Sequence, residues 1–126
     1  MPTHKIPIGD INIEWSEWTQ WDRFKEDARQ GGLKVPSDPG VYEARLDNSD
    51  ARLTIGKAAD LRMRVKQGLV KGKIPHTAGD RIRDHEDTTQ IIIRWANTSR
   101  PACVEEFLHQ EHQENFGSLP KYVSHT

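Results

Sequence analysis

The sequence predicts an α/β (α+β) domain: a small three-stranded antiparallel sheet, starting with a β-hairpin and flanked by helices. Three observations carry that expectation. Val41–Leu46 and Arg52–Gly56 are short strand-like segments joined by Asp47-Asn48-Ser49-Asp50, a polar cluster with turn chemistry. Ile91-Ile92-Ile93-Arg94-Trp95-Ala96 is β-branched and bounded by polar turns. Around these strands, apolar residues recur every three or four positions, as in amphipathic helices.

In chain order, residues 1–13 hold Pro2, Pro7 and Gly9 and read as irregular. From Glu14 to Arg29 the spacing of Trp15, Trp18, Trp21 or Phe24, and Ala28 predicts an amphipathic helix stopped by Gly31-Gly32. Its aromatic stripe is expected to cover an open face or edge of the sheet. Lys34–Pro39 is an entry loop. In the hairpin, Tyr42, Ala44 and Leu46 share one face by the two-residue period, and an even register places Thr54 with Tyr42.

Ala58–Leu69 is a helix candidate with Leu61, Val65 and Leu69 as its apolar stripe and Asp60 in its first turn. Arg62 and Arg64 lie on opposite flanks of that stripe, and periodicity does not choose between them. A basic loop, Val70–Pro75, and a short helix around Asp80–His85 follow. The continuous isoleucine run of 91–93 predicts a central strand covered on both faces. Pro101 opens the last helix, with Val104, Phe107 and Leu108 inward, and Gly117–Pro120 ends it.

The 126 residues make one domain, with 1–38 as an N-terminal extension and 39–123 as the core. Apolar residues make up 34% and charged ones 29%, so a thin core with a solvated surface is expected. Cys103 is the single cysteine, which excludes a disulfide within the chain and a thiolate zinc cluster. No apolar h-region follows Met1 and no run of 18 apolar residues occurs. A soluble, cytoplasmic protein with no membrane partner is therefore expected.

Net charge is −1, yet from Arg52 to Arg83 nine Lys or Arg face only Asp60 and Asp80, a local +7. A basic side on an otherwise acidic chain fits contact with a phosphate backbone. A carboxylate and an arginine converging on a hairpin face also form a minimal site for phosphodiester hydrolysis. There a divalent cation polarises the phosphoryl oxygens and an arginine neutralises developing charge.

Gly40-Val41-Tyr42, then Thr54-Ile55-Gly56, Leu61-x-x-Arg64 and the late Glu105-x-x-Leu108-His109 resemble, in order and spacing, the GIY-YIG nuclease domain over about Pro39 to Tyr122. The resemblance implies a metal-dependent endonuclease acting on DNA, duplex or branched. It matches Tyr42 to the water-activating or water-orienting tyrosine, Arg64 rather than Arg62 to the catalytic arginine, and Glu105 to the ligand of one Mg²⁺ or Mn²⁺. It matches Gly56 to a glycine that lets the backbone approach the phosphate, and Lys57 to a lysine beside the site in some members.

Two departures bear on the base. Thr54 stands where the family usually has a second tyrosine. Gly68 stands four residues after Arg64, where many members have a histidine; His76, in the following loop, is the candidate to reach back and replace it. The terminal Pro120-Lys121-Tyr122-Val123 lacks the asparagine that often follows. Arg62, Lys66, Lys71, Lys73, Arg81 and Arg83 are expected along the DNA backbone, with a homodimer or a partner supplying specificity. The competing expectation is an impaired nucleic-acid-binding or protein-interaction module on the same scaffold.

Overall fold

The computed structural model describes residues 2–7 and 11–123. Its centre is a four-stranded antiparallel sheet where three strands were expected; the additional strand is the two-residue β3 (Thr19–Gln20) at one edge. The hairpin strands are β4 (Gly40–Leu46) and β5 (Arg52–Ala58), β6 is Ile91–Asn97, and the order across the sheet is β3-β6-β4-β5. Tyr42 lies opposite Gly56 and Ala44 opposite Thr54, so Tyr42 and Thr54 share a face as the alternation requires. A register shift between Ala44 and Arg45 then re-aims the hairpin end.

β6 is an inner strand with buried residues on both faces, as the isoleucine run suggested, although its outer neighbour is only the two-residue β3 and β4 is the strand with full-length neighbours on both sides. Beyond β4, β6 pairs only with β3, through Gln20 and Thr19 opposite Ile92 and Ile93. Ile91 and Ile93 are fully buried while Ile92 is only partly so. The run therefore alternates like any other strand of this sheet.

The N-terminal segment differs from expectation twice. Thr3–Ile6 (β1) pairs antiparallel with Ile11–Glu14 (β2) in a separate two-stranded sheet, where an irregular stretch was expected. Pro7 falls just after β1, where its missing N–H costs no ladder bond; residues 1 and 8–10 lie outside the described part. From Glu14 to Arg29 there is no α-helix but β3 and two 3₁₀ turns, Trp21–Lys25 and Ala28–Gln30.

The three-residue aromatic spacing arises because the chain crosses the sheet edge there and feeds both layers. Trp15 is buried with Ile6 and Ile13 on one side, and Trp21 and Phe24 are buried on the other. Phe24 meets Trp95 edge-on at 5.9 Å. Trp18 lies under the guanidiniums of Arg45, Arg52 and Arg94, on the same face of the sheet as Val41 and Glu43. The segment does cover a sheet edge, as strand and turn.

Ala58 belongs to β5, and the next helix runs Arg62–Val70 as a π-helix. The amide of Lys71 reaches the carbonyl of Lys66 at 3.0 Å, the i→i+5 spacing of that form. Leu61, Val65 and Leu69 are fully buried as their spacing requires, and the wider turn also brings Lys66 and Val70 inside. Helix α1 is Thr77–His85 and α2 is Pro101–Phe116. Pro101 opens α2, and Gly117, at φ 77°, closes it in the left-handed conformation glycine favours.

The sheet is thus covered twice. Tyr42, Ala44 and Ile93 pack with Trp21, Phe24, the π-helix stripe and Ile82 of α1. Val41, Ile55 and Ala96 pack with Val104 and Leu108 of α2 and with the β1–β2 hairpin. On this second face Glu43 is buried and accepts from Arg52 Nε at 3.0 Å and Arg94 Nε at 2.9 Å. Arg94 also stacks on Trp15 at 4.1 Å, an arrangement that neutralises the buried carboxylate and uses the guanidinium's flat face. Among the described residues no helix is long and apolar enough to cross a membrane.

Candidate functional site

The free edge of β5 forms the floor of a groove of about 1070 Å³, walled by the π-helix and α1 on one side and α2 on the other. Tyr42, Arg64, His76, Glu105 and Lys57 all line it, although they come from five separate parts of the chain. Tyr42 reaches it from β4 because Gly56, opposite on β5, has no side chain. A Cβ there would lie 2.2 Å from the Tyr42 hydroxyl. Gly56 was expected to let the backbone approach a phosphate; the space it leaves is filled by the tyrosine.

His76 is the N-cap of α1. Its Nδ1 accepts from the Gly79 amide at 2.9 Å, and its Nε2 lies 2.8 Å from the Tyr42 hydroxyl. A nitrogen that accepts an N–H carries no proton, so neutral His76 holds its hydrogen on Nε2 and donates it to Tyr42. Its ring lies over Gly68, where a Cβ would meet His76 Cδ2 at 3.1 Å. The imidazole from the loop thus sits where a side chain at position 68 would project.

Burial, reinforced by the Arg64 and Arg83 guanidiniums, holds His76 down at about 4. Burial pushes the Tyr42 phenol up to about 12; Arg64 beside it pulls the other way, and Glu105 adds a smaller upward push. At neutral pH the pair is therefore an uncharged imidazole and an intact phenol. Both ring nitrogens of His76 are engaged inside the protein, so it offers no free lone pair as a base. It fixes the position of Tyr42, whose own O–H remains free to donate.

Arg64 is half-buried and held by one long bond to the Pro75 carbonyl, 3.4 Å. Lys57 is exposed at the rim. Glu105 is half-buried on α2, one position from the inward Val104, while Glu106 is exposed. Among the described residues no hydrogen bond or ion pair engages the Glu105 carboxylate, and no three His, Cys, Asp or Glu side chains cluster as a ready metal cage. One carboxylate in a wet groove suits a cation that keeps most of its waters.

Thr54 is 3% exposed and its hydroxyl donates to the Tyr122 carbonyl at 3.0 Å. It ties the C-terminal segment to β5, so its hydroxyl is spent inside the protein and does not stand in for the second tyrosine. Of the six basic residues expected along DNA, two are turned inward. Lys66 is 4% exposed and its ammonium donates to the carbonyls of Glu26 and Leu33 at 2.9 and 2.8 Å. Burial lowers its pKa.

Arg83 donates to the carbonyls of Gly68 and Leu69 at the end of the π-helix and pairs with Asp80. Both side chains satisfy helix and loop carbonyls that would otherwise be stranded. Arg62 is exposed, with Nε on the Val35 carbonyl at 2.9 Å, and Lys73 and Arg81 are exposed beside half-buried Lys71. His109, one helical turn after Glu105, also lines the groove; its i, i+4 spacing from Glu105 was the signal for it.

Comparisons of the chain with protein-family models, curated proteins and solved structures found no match.

Proposed function

We propose that the chain is a metal-dependent endonuclease of the GIY-YIG type that hydrolyses DNA phosphodiester bonds. The observation that carries this reading is the convergence of Tyr42, Arg64, His76 and Glu105 on one groove. The order of the elements adds support, with Tyr42 on the first hairpin strand, Gly56 on the second, Arg64 in the next helix and Glu105 in the last.

Glu105 would hold the Mg²⁺ or Mn²⁺, which when bound supplies Lewis-acid polarisation of the phosphoryl oxygen and a water of lowered pKa. The Arg64 guanidinium neutralises charge on the pentavalent phosphorus, worth about 3–4 kcal/mol for a donor in such a site. Tyr42, held as an acceptor by His76, directs its own O–H to the attacking water or a phosphoryl oxygen. With its phenol raised to about 12, Tyr42 orients the nucleophile and does not take its proton. Lys57, Arg62, Lys71, Lys73 and Arg81 form the basic approach to the groove.

Incubating plasmid with the protein in Mg²⁺, Mn²⁺ or EDTA tests the reading. Metal-dependent nicking that disappears in Glu105→Ala and falls at least about a hundredfold in Arg64→Ala is the expected result. The non-catalytic alternative is favoured by one feature, the Thr54 hydroxyl committed to Tyr122. DNA binding that persists with no cleavage in any metal would establish that alternative and remove the nuclease.

A further inference from the structure

His109 has half of its chemistry unaccounted for. Its Nε2 lies 2.9 Å from the Ile55 carbonyl oxygen, and a carbonyl only accepts. Nε2 therefore carries the hydrogen and Nδ1 carries a lone pair. Among the described residues no group bonds that Nδ1. The contrast is with His112, whose Nδ1 donates to the Ser118 carbonyl at 2.7 Å while Nε2 accepts from the Arg52 amide at 3.0 Å. His76 is likewise spent on both sides.

We infer that His109 Nδ1 and the Glu105 carboxylate form a two-ligand site for a divalent transition cation, binding Mn²⁺ in preference to Mg²⁺. This rests on the reading of Glu105 as a metal ligand. On a helix, residues four apart stand about 5–6 Å apart at Cβ and on one face, and both of these side chains line the groove. A ligating histidine characteristically donates its other ring N–H to a carbonyl or carboxylate, which fixes the tautomer and turns the lone pair outward. The Ile55 carbonyl on edge strand β5 plays that part.

The two ligands differ in kind. A carboxylate serves Mg²⁺ and Mn²⁺ alike, whereas an imidazole nitrogen favours transition cations over Mg²⁺. Water and a substrate phosphate oxygen would complete the coordination shell. The site thus predicts a metal preference that a lone carboxylate would not show.

The test is metal binding by the full chain without DNA, following free Mn²⁺ by its electron paramagnetic resonance signal and Mg²⁺ by competition. His109→Gln keeps an N–H for the Ile55 carbonyl and removes the imidazole. It is expected to weaken Mn²⁺ binding about tenfold or more and leave Mg²⁺ binding unchanged, while Glu105→Gln weakens both. Mn²⁺ affinity unchanged in His109→Gln but lost in Glu105→Gln overturns the inference and leaves Glu105 as a metal ligand. Mn²⁺ affinity unchanged in both overturns the reading of Glu105 as well. If His109→Gln does not fold, the ¹⁵N signal of His109 Nδ1 in the unmodified protein with diamagnetic Cd²⁺ decides the matter. A large upfield shift on Cd²⁺ binding shows ligation, and a signal that does not move while Cd²⁺ binds excludes His109.

Discussion

Nε2 of His76 donates to the Tyr42 hydroxyl across 2.8 Å, and the ring that does so occupies the space above Gly68. A residue from the start of α1 thereby completes a site whose other members lie in the hairpin and the π-helix. The cap bond from Gly79 to Nδ1 is what points the donor nitrogen at Tyr42. One imidazole thus starts a helix and positions a phenol at once.

Gly68→Ala should be destabilising by about 1–2 kcal/mol, because its new Cβ meets His76 Cδ2 at 3.1 Å and the packed ring must give. In a His76→Ala background the clash is absent, and the same change should stabilise by about 0.5–1 kcal/mol through helix propensity. Urea melts of the four proteins measure the coupling. Additive effects would mean that the ring does not rest on Gly68.

The lowered pKa of His76 makes stability depend on pH. The folded value is about 4 against 6.5 for the free side chain, so between those values the unfolded chain binds the extra proton. Stability is full above pH 6.5 and falls as pH drops toward 4, by about 3 kcal/mol from this group. Denaturant unfolding across that range should show the loss, and His76→Gln should flatten it. A wild-type profile with the same slope as the variant would contradict the assignment.

Lys66 and Lys73 should separate cleanly. Lys66→Met strands the Glu26 and Leu33 carbonyls and should cost about 2–3 kcal/mol of stability, with the salt dependence of the proposed DNA binding unchanged. Lys73→Ala should leave stability within about 0.5 kcal/mol and reduce the log–log salt slope of that proposed binding by about 1. Melting curves and salt titrations on the same preparations check both.

Glu43→Ala removes the carboxylate that Arg52 and Arg94 share and leaves two half-buried guanidiniums facing each other. A loss of about 3 kcal/mol is expected, seen as a lower denaturant midpoint. Replacing Arg94 in the same background should recover part of it. A loss below about 1 kcal/mol would show that water screens the cluster.

Much of the sheet was legible because side-chain alternation and turn chemistry are local. The placing of Tyr42 and Thr54 on one face, the last helix from Pro101 and its glycine stop follow from neighbouring residues. The aromatic run from Trp15 to Phe24 misled because a three-residue spacing fits an α-helix stripe, and equally a chain that crosses between two layers. Lys66 and Arg83 read as surface charge because their partners are backbone carbonyls, which a sequence does not display. Tyr42, Lys57, Arg64 and Glu105 were picked out by motif order, and His76 as the stand-in for the histidine missing at position 68; that Gly56 makes room for Tyr42, and that His76 has no free lone pair, follow only from geometry.

Tyr42, His76 and Arg64 hang on the core beneath one face of the sheet, while Glu105 and His109 hang on the core beneath the other. The sheet between them acts as a spacer of fixed thickness, since its backbone geometry cannot stretch without losing hydrogen bonds. The gap between arginine and carboxylate is thus set by a dimension that side-chain substitution scarcely alters. Repacking either core would tilt or slide one half of the groove as a unit against the other. Variants selected for a wider or narrower gap should therefore map to the residues anchoring α2 or the π-helix, away from the side chains that line the groove.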